Sequence, residues 1–129
     1  MAKILVVDDD VKVTTLLKRF LSAIGHEVTA INQSSKAIPT ANSVHPELFI
    51  LDIMMPQPDG YKLCGLLRAI PAFSRTPILI ISAVDKSNSK ATSFGANDYL
   101  TKPFDLDELA LRINILIGSS KLPRSGYVS

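Results

Sequence analysis

Cysteine is close to missing from this chain. Cys64 stands alone among 129 residues, which excludes a disulfide framework and a cysteine-built zinc site. Histidine is almost as scarce: His26 and His45 lie far apart and lack the spacing of metal ligands. There is no large excess of one charge. Against 14 basic residues stand 12 acidic ones, leaving +2, which gives no general case for nucleic acid or a membrane surface as a partner. No apolar run approaches the ~20 residues that a membrane-spanning helix needs. Residues 1–7 read as a strand with one lysine and no cleavage-like region, so a signal peptide is not expected. A reducing cytoplasm is the expected location.

What is present is an ordinary globular composition, with 47% hydrophobic and 20% charged residues. A chain of this length buries roughly two-thirds of its unfolded surface and is expected to form one domain. Short apolar runs stand at Ile4–Val7, Val28–Ile31, Leu48–Leu51 and Ile78–Ile81, with a weaker one at Tyr99–Leu100. Runs that are apolar on both faces suit central strands of a parallel sheet covered on both sides.

Helical patterns lie between the runs. Val13, Leu16, Leu17, Phe20, Leu21 and Ile24 recur at helical spacing, with Asp10 placed to cap the start and Gly25 placed where the helix stops. A second helix over about 34–42 contains Pro39, which predicts a poor or late-starting element. A third is predicted over about 61–70, ended by Pro71. A fourth, over about 85–94, is rich in Ser, Asn and Thr, each roughly 0.5 kcal/mol worse than Ala in a helix, so it should be the least stable. A fifth is predicted over about 106–117. Strand and helix alternate throughout, which is the pattern of a doubly wound α/β sandwich. From Gly118 onward "GSSKLPRSGYVS" loses all periodicity. Residues 1–117 are therefore expected to form the domain and 118–129 a linker or disordered tail. No internal repeats are visible.

In such a sheet, function gathers beyond the carboxyl ends of the strands. The first run ends in Asp8, Asp9 and Asp10, the third in Asp52, the fourth in Ser82 and the fifth in Thr101-Lys102-Pro103. Carboxylates brought within a few Å repel, and one is pushed toward protonation unless a cation intervenes. Oxygen-only ligands suit Mg²⁺. Lys102 adds a positive charge able to hold Asp52 and later a phosphoryl oxygen, and Ser82 offers a hydroxyl to the same oxygen. Acid, cation, lysine and hydroxyl around one aspartate are the equipment for phosphoryl transfer onto Asp52.

The stretches "ILVVDDD", "LFILDIMMPQPDG", "PILIISA" and "GANDYLTKPF" resemble the receiver domain of two-component response regulators, the chemotaxis regulators included. The resemblance covers Lys3 to about Ile117. Each motif alone is weak; together and in order they are specific. They imply a flavodoxin-like fold, a five-stranded parallel sheet of order 2-1-3-4-5 with helices on both faces. They also imply site roles. Asp52 would be the phospho-acceptor, Asp9 a direct Mg²⁺ ligand, Asp8 a ligand mainly through water, and Met54 a ligand through its backbone carbonyl. Lys102, Ser82 and the Ala83 backbone would contact the phosphoryl group, and the Lys102–Pro103 peptide would be cis. Ser82 and Tyr99 would form the switch: Ser82 turns toward the phosphate and Tyr99 rotates inward. That would alter the face made by the fourth helix, fifth strand and fifth helix. The donor would be a phosphohistidine on a histidine kinase or phosphotransfer protein.

Plainer readings stand beside these. Asp10 is first a helix cap, and Asp59-Gly60 a turn and helix start. Ser82 could cap the fourth helix, Tyr99 could be static packing, and Lys102 could be a surface lysine, although the Pro-Phe that follows it argues for a fixed backbone. His26, His45 and Cys64 carry no role. Two departures from expected chemistry stand out. Met54 and Val84 lie two residues after Asp52 and Ser82; neither can orient an attacking water, so phosphate loss should be slow. Leu111 and Ile115 lie off the apolar stripe of the fifth helix, either as incidental surface residues or as a contact for a partner or a second copy.

A phosphorylation-controlled signalling switch, not a turnover enzyme, is the reading this supports. An aspartate-nucleophile phosphohydrolase would want a second acid where Met54 stands. The phosphate-binding glycine motifs of nucleotide enzymes are absent. A phosphate-independent receiver-like binding module would typically have lost an acid or the lysine, and all are retained. No output domain is visible, so the chain is either a stand-alone receiver or one piece of a longer regulator. No helix-turn-helix follows, and direct nucleic-acid binding by this chain is not expected.

Overall fold

Every apolar run becomes a strand slightly longer than its apolar centre: β1 (Lys3–Val7), β2 (Glu27–Ile31), β3 (Leu48–Asp52), β4 (Ile78–Ser82) and β5 (Asp98–Thr101). A computed structural model describes residues 2–83 and 95–121. Its strands pair in parallel, in the order β2-β1-β3-β4-β5. Chain order reverses beside β1, so the crevice between the ends of β1 and β3 is the switch point of the sheet.

Period-two alternation explains why the runs are apolar throughout. Leu5, Val7, Phe49, Leu51, Ile78 and Ile80 face one layer of helices, and Ile4, Val6, Leu48, Ile50, Leu79 and Ile81 face the other. Each set is buried in its own cluster. In the first, Phe49 and Phe73 meet edge to face with ring centroids 5.3 Å apart. β2 departs from the expectation of a central strand. It is an edge strand, and Val28–Ile31 is only half-buried, because one flank has no neighbouring strand.

Helix α1 (Val11–Ala23) starts where Asp10 accepts a hydrogen bond from the Lys12 N–H at 2.9 Å. It ends at Gly25, whose φ is 102°. The Gly25 and His26 N–H groups donate back to the Ser22 and Leu21 carbonyls, closing the last turn. The second helix starts late. A 3₁₀ turn over Ser34–Lys36 precedes α2 (Ala37–Val44), which leaves Pro39 in the first α-helical turn, where its missing N–H has no intrahelical partner to lose. Helix α3 (Gly60–Arg68) is capped by Asp59, which accepts from the Lys62 N–H at 2.8 Å. A 3₁₀ turn at Pro71–Phe73 follows it. The helix predicted over 106–117 is α4 (Leu106–Lys121), and it continues past Gly118. Leu109, Ile113 and Ile117 are its buried stripe, on the same side of the sheet as Leu17 and Leu21 of α1. The helix predicted over 85–94, Val84 and residues 122–129 lie outside the described residues.

Candidate functional site

Strand register carries the site. Val7 is level with Leu51 across the β1–β3 pair, so the next residues, Asp8 and Asp52, leave the sheet side by side. Ser82 is level with Thr101 across β4–β5, so Lys102 emerges beside Ser82, and its N–H donates to the Ser82 carbonyl at 2.7 Å. Residues scattered along the chain thus meet at one edge. Asp8, Asp9 and Asp52 place carboxylate oxygens within 4.8 Å of one another. The Lys102 ammonium lies 2.9 Å from Asp8 Oδ2 and 3.6 Å from Asp52 Oδ2. It thus holds the expected Asp52 and, more closely, Asp8. The Lys102–Pro103 peptide is cis.

The acids differ in setting. Asp8 is fully buried, and its Oδ1 accepts the Asp10 N–H at 2.9 Å. Asp9 is exposed and opens to solvent. Asp52, at the end of an entirely buried strand, is 5% exposed and accepts a long hydrogen bond from the Met54 N–H at 3.4 Å. Burial, and next the Asp8 carboxylate, push its pKa up to about 6 from 3.8; Lys102 and the Met54 N–H pull the other way, and Asp9 adds to the rise. Burial works against the Lys102 charge, but Asp8 and Asp52 outweigh it and hold the ammonium protonated above the usual lysine range. One lysine thus faces three clustered carboxylates. This excess of negative charge on oxygen donors fits a hard divalent cation.

The remaining candidates take these positions. Ser82 is buried at the end of β4, and Ala83 is exposed just beyond it. Met54 is 62% exposed at the rim. Tyr99 is only 4% exposed, packed in the cluster with Phe49, Leu63 and Leu67. Leu111 and Ile115, at 58% and 55% exposure, lie far outside the buried stripe of α4.

Sequence reading missed Gly60 as a packing position. A Cβ there would collide with the Asp52 carbonyl and lie 2.6 Å from the Ile53 Cα, so the glycine lets α3 start directly against the strand end that carries Asp52. It also missed Asn32 and Ser34, which bond to the loops around the acids, and Thr14, which accepts from Asn32. Only the placement of Asn32 just after an apolar run could have flagged it.

A 2-1-3-4-5 parallel sheet with clustered acids and a lysine at its switch point defines a receiver-type signalling domain. The chain belongs to the response regulator receiver domain family, which its residues 4–114 match. The probable transcriptional regulator ycf27 of Porphyridium aerugineum is 35% identical to it over 98% of this chain and 55% of its own length. The alkaline phosphatase synthesis transcriptional regulatory protein PhoP of Bacillus subtilis is 35% identical over 93% of this chain and 50% of its own. The receiver domain of the Francisella response regulator 1452 superimposes with a TM-score of 0.86 at 36% identity, covering 94% of this chain and all of that one. The chain spans about half the length of the curated relatives it matches. As a response regulator receiver domain it is a phosphorylation-controlled signalling domain of the two-component type. No helix among the described residues is long and apolar enough to cross a membrane.

Proposed function

We propose that Asp52 accepts a phosphoryl group from a phosphohistidine of a partner histidine kinase or phosphotransfer protein, in a Mg²⁺-dependent reaction. A carboxylate oxygen of Asp52 forms the new P–O bond as the P–N bond breaks. The electron pair of that bond leaves with the imidazole nitrogen, which takes up a proton. Asp9, Asp52 and the Met54 carbonyl would hold the ion directly, and Asp8 through water. Mg²⁺, when bound, would neutralise the charge that gathers on the phosphoryl oxygens. Lys102 would move from Asp8 toward the transferred group, joined by the Ser82 hydroxyl and the Ala83 N–H. The observation that carries this reading is the meeting of three carboxylates within 4.8 Å, with Lys102 held against two of them.

Ser82 and Tyr99 would report the phosphate to the face formed by the segment before β5, β5 itself and α4. Leu111 and Ile115 are exposed on α4 and would serve there as a contact for a second copy of the chain. Residues 1–117 would act as the receiver and 118–129, the first four of which prolong α4, as a linker to a C-terminal output domain. The greater length of the curated relatives, named as transcriptional regulators, supports this. Nucleic-acid contact would then belong to that output domain, and the protein would work in the cytoplasm without a membrane contact.

The test is incubation with acetyl phosphate and Mg²⁺, followed by mass spectrometry of the intact chain and its peptides. One phosphoryl group on the Asp52 peptide is expected, absent in Asp52→Asn and absent in excess EDTA. Modification of another residue, or modification that ignores EDTA, would overturn the reading.

A further inference from the structure

The loop after β2 reaches both loops that carry the acidic pocket. Asn32 Nδ2 uses its two hydrogens in different directions: one donates to the Asp8 carbonyl at 2.9 Å, the other to Thr14 Oγ1 at 2.8 Å. The Thr14 hydroxyl in turn donates to the Val11 carbonyl at 3.1 Å. The backbone joins in, since the Asp8 N–H donates to the Ile31 carbonyl at 3.2 Å. Two residues further on, buried Ser34 donates its hydroxyl to the Pro56 carbonyl at 2.8 Å. Pro56 lies in the loop between Asp52 and α3, the loop that includes Met54.

Asp8 is therefore held at four points: its N–H by the Ile31 carbonyl, its carbonyl by Asn32, Oδ1 by the Asp10 N–H and Oδ2 by Lys102. Lys102 is the partner that the proposed chemistry would draw away toward the phosphoryl group. When it leaves, the carbonyl anchor to Asn32, the Asp10 N–H and the backbone bond to Ile31 are what keep Asp8 in place. The Ser34 anchor acts on the other side, limiting how far the 53–59 loop can drift from the 8–10 loop. Asn32 and Ser34 are tied by one intervening residue, so the two loops share one short covalent strap.

We infer that Asn32–Ser34 is a positioning strap for the acidic pocket: through the Asp8 and Pro56 carbonyls it sets the separation of the two loops that together bind the divalent cation. This rests on the proposed Mg²⁺-dependent phosphorylation of Asp52. The strap touches neither ion nor phosphate; it acts by holding the groups that do. Partners that orient metal ligands typically change metal affinity about 10–100-fold when removed.

The experiment measures the Mg²⁺ dissociation constant of the full chain by calorimetry and the acetyl-phosphate reaction rate across a Mg²⁺ series. Asn32→Ala and Ser34→Ala are each compared with the wild type at a temperature where every variant is folded. Asn32→Ala should weaken Mg²⁺ binding about tenfold, with the rate largely recovered at saturating Mg²⁺. Thr14→Val, which strands one Asn32 hydrogen, should weaken it in the same direction, and Thr14→Ser should restore it. A merely structural role would lower the unfolding midpoint and leave the dissociation constant of the folded protein unchanged, and that outcome would overturn the strap. Should the wild type itself bind no Mg²⁺ and take no phosphate on Asp52, the functional reading fails instead, so the two failures are distinguishable.

Discussion

Asp52 costs the metal-free fold stability, and replacing it by asparagine should show how much. Its carboxyl has a pKa of about 6 in the fold against an ordinary value of 3.8, so the folded state holds the proton more tightly than the unfolded one. The penalty is absent when both states are protonated. It grows as pH rises between those two values and is complete above the upper one. At ~1.4 kcal/mol per unit the shift corresponds to at most about 3 kcal/mol, and water at the pocket mouth reduces this to about 1–3 kcal/mol. Asp52→Asn removes the ionisation and, in the wild type's own geometry, loses only the 3.6 Å contact with Lys102. In EDTA at about pH 7.5 the variant should therefore be the more stable protein by about 1–3 kcal/mol. For a chain of this size that is a melting midpoint higher by ~3–5 °C per kcal/mol. The gap should close only as pH falls below about 3, where the wild-type carboxyl is protonated in both states. Added Mg²⁺ should narrow it from the other side, because it stabilises only a protein that binds it. Urea or thermal unfolding at three pH values, with and without Mg²⁺, reads all of this. A variant no more stable than the wild type at about pH 7.5, or a gap indifferent to pH, would refute the electrostatic account.

Lys102→Ala should destabilise the metal-free protein by about 1–3 kcal/mol, since it strips buried Asp8 of its ammonium partner; equal unfolding midpoints in EDTA would contradict this. Met54 stands exposed at the rim and cannot orient water, so Met54→Asn should shorten the life of phosphate on Asp52, checked by following decay after removal of acetyl phosphate. An unchanged rate would sink the idea. If phosphorylation produces a dimer, Leu111→Lys should abolish it in sedimentation velocity, and a persisting dimer would remove Leu111 from the interface.

Much of this protein was legible in its one-dimensional order. The tetrads Ile4–Val7, Leu48–Leu51 and Ile78–Ile81 announce strands covered on both faces, because only a two-sided core removes the need for polar alternation. The acids that follow two of them, Asp8 and Asp52, mark where the apolar run ends, and their place in the chain is readable although their burial is not. Asp10, Gly25 and Asp59 punctuate helices through bonds made within a few residues, and such bonds are readable locally. The late start of α2 follows from Pro39 for the same reason.

Other features depend on which distant segments meet. Lys102 takes Asp8 as its nearer partner across 94 residues of chain, a choice set by the register of β1, β3, β4 and β5. β2 is half-exposed because of its place at the sheet edge, although its composition resembles that of buried strands. Tyr99 is buried because folding places it in the cluster that also holds Phe49, Leu63 and Leu67. Asn32 and Ser34 look like ordinary loop polar residues until folding sets them against the Asp8 and Pro56 carbonyls, and Thr14 like an ordinary helix residue until it receives the second Asn32 hydrogen. Local sequence determined which segments become strands and which side chains stand at their ends, since burial and capping act over a few residues. Tertiary structure alone decided which of those side chains share a pocket and what holds the pocket's width, since those separations are set by sheet order and by bonds between loops far apart in the chain.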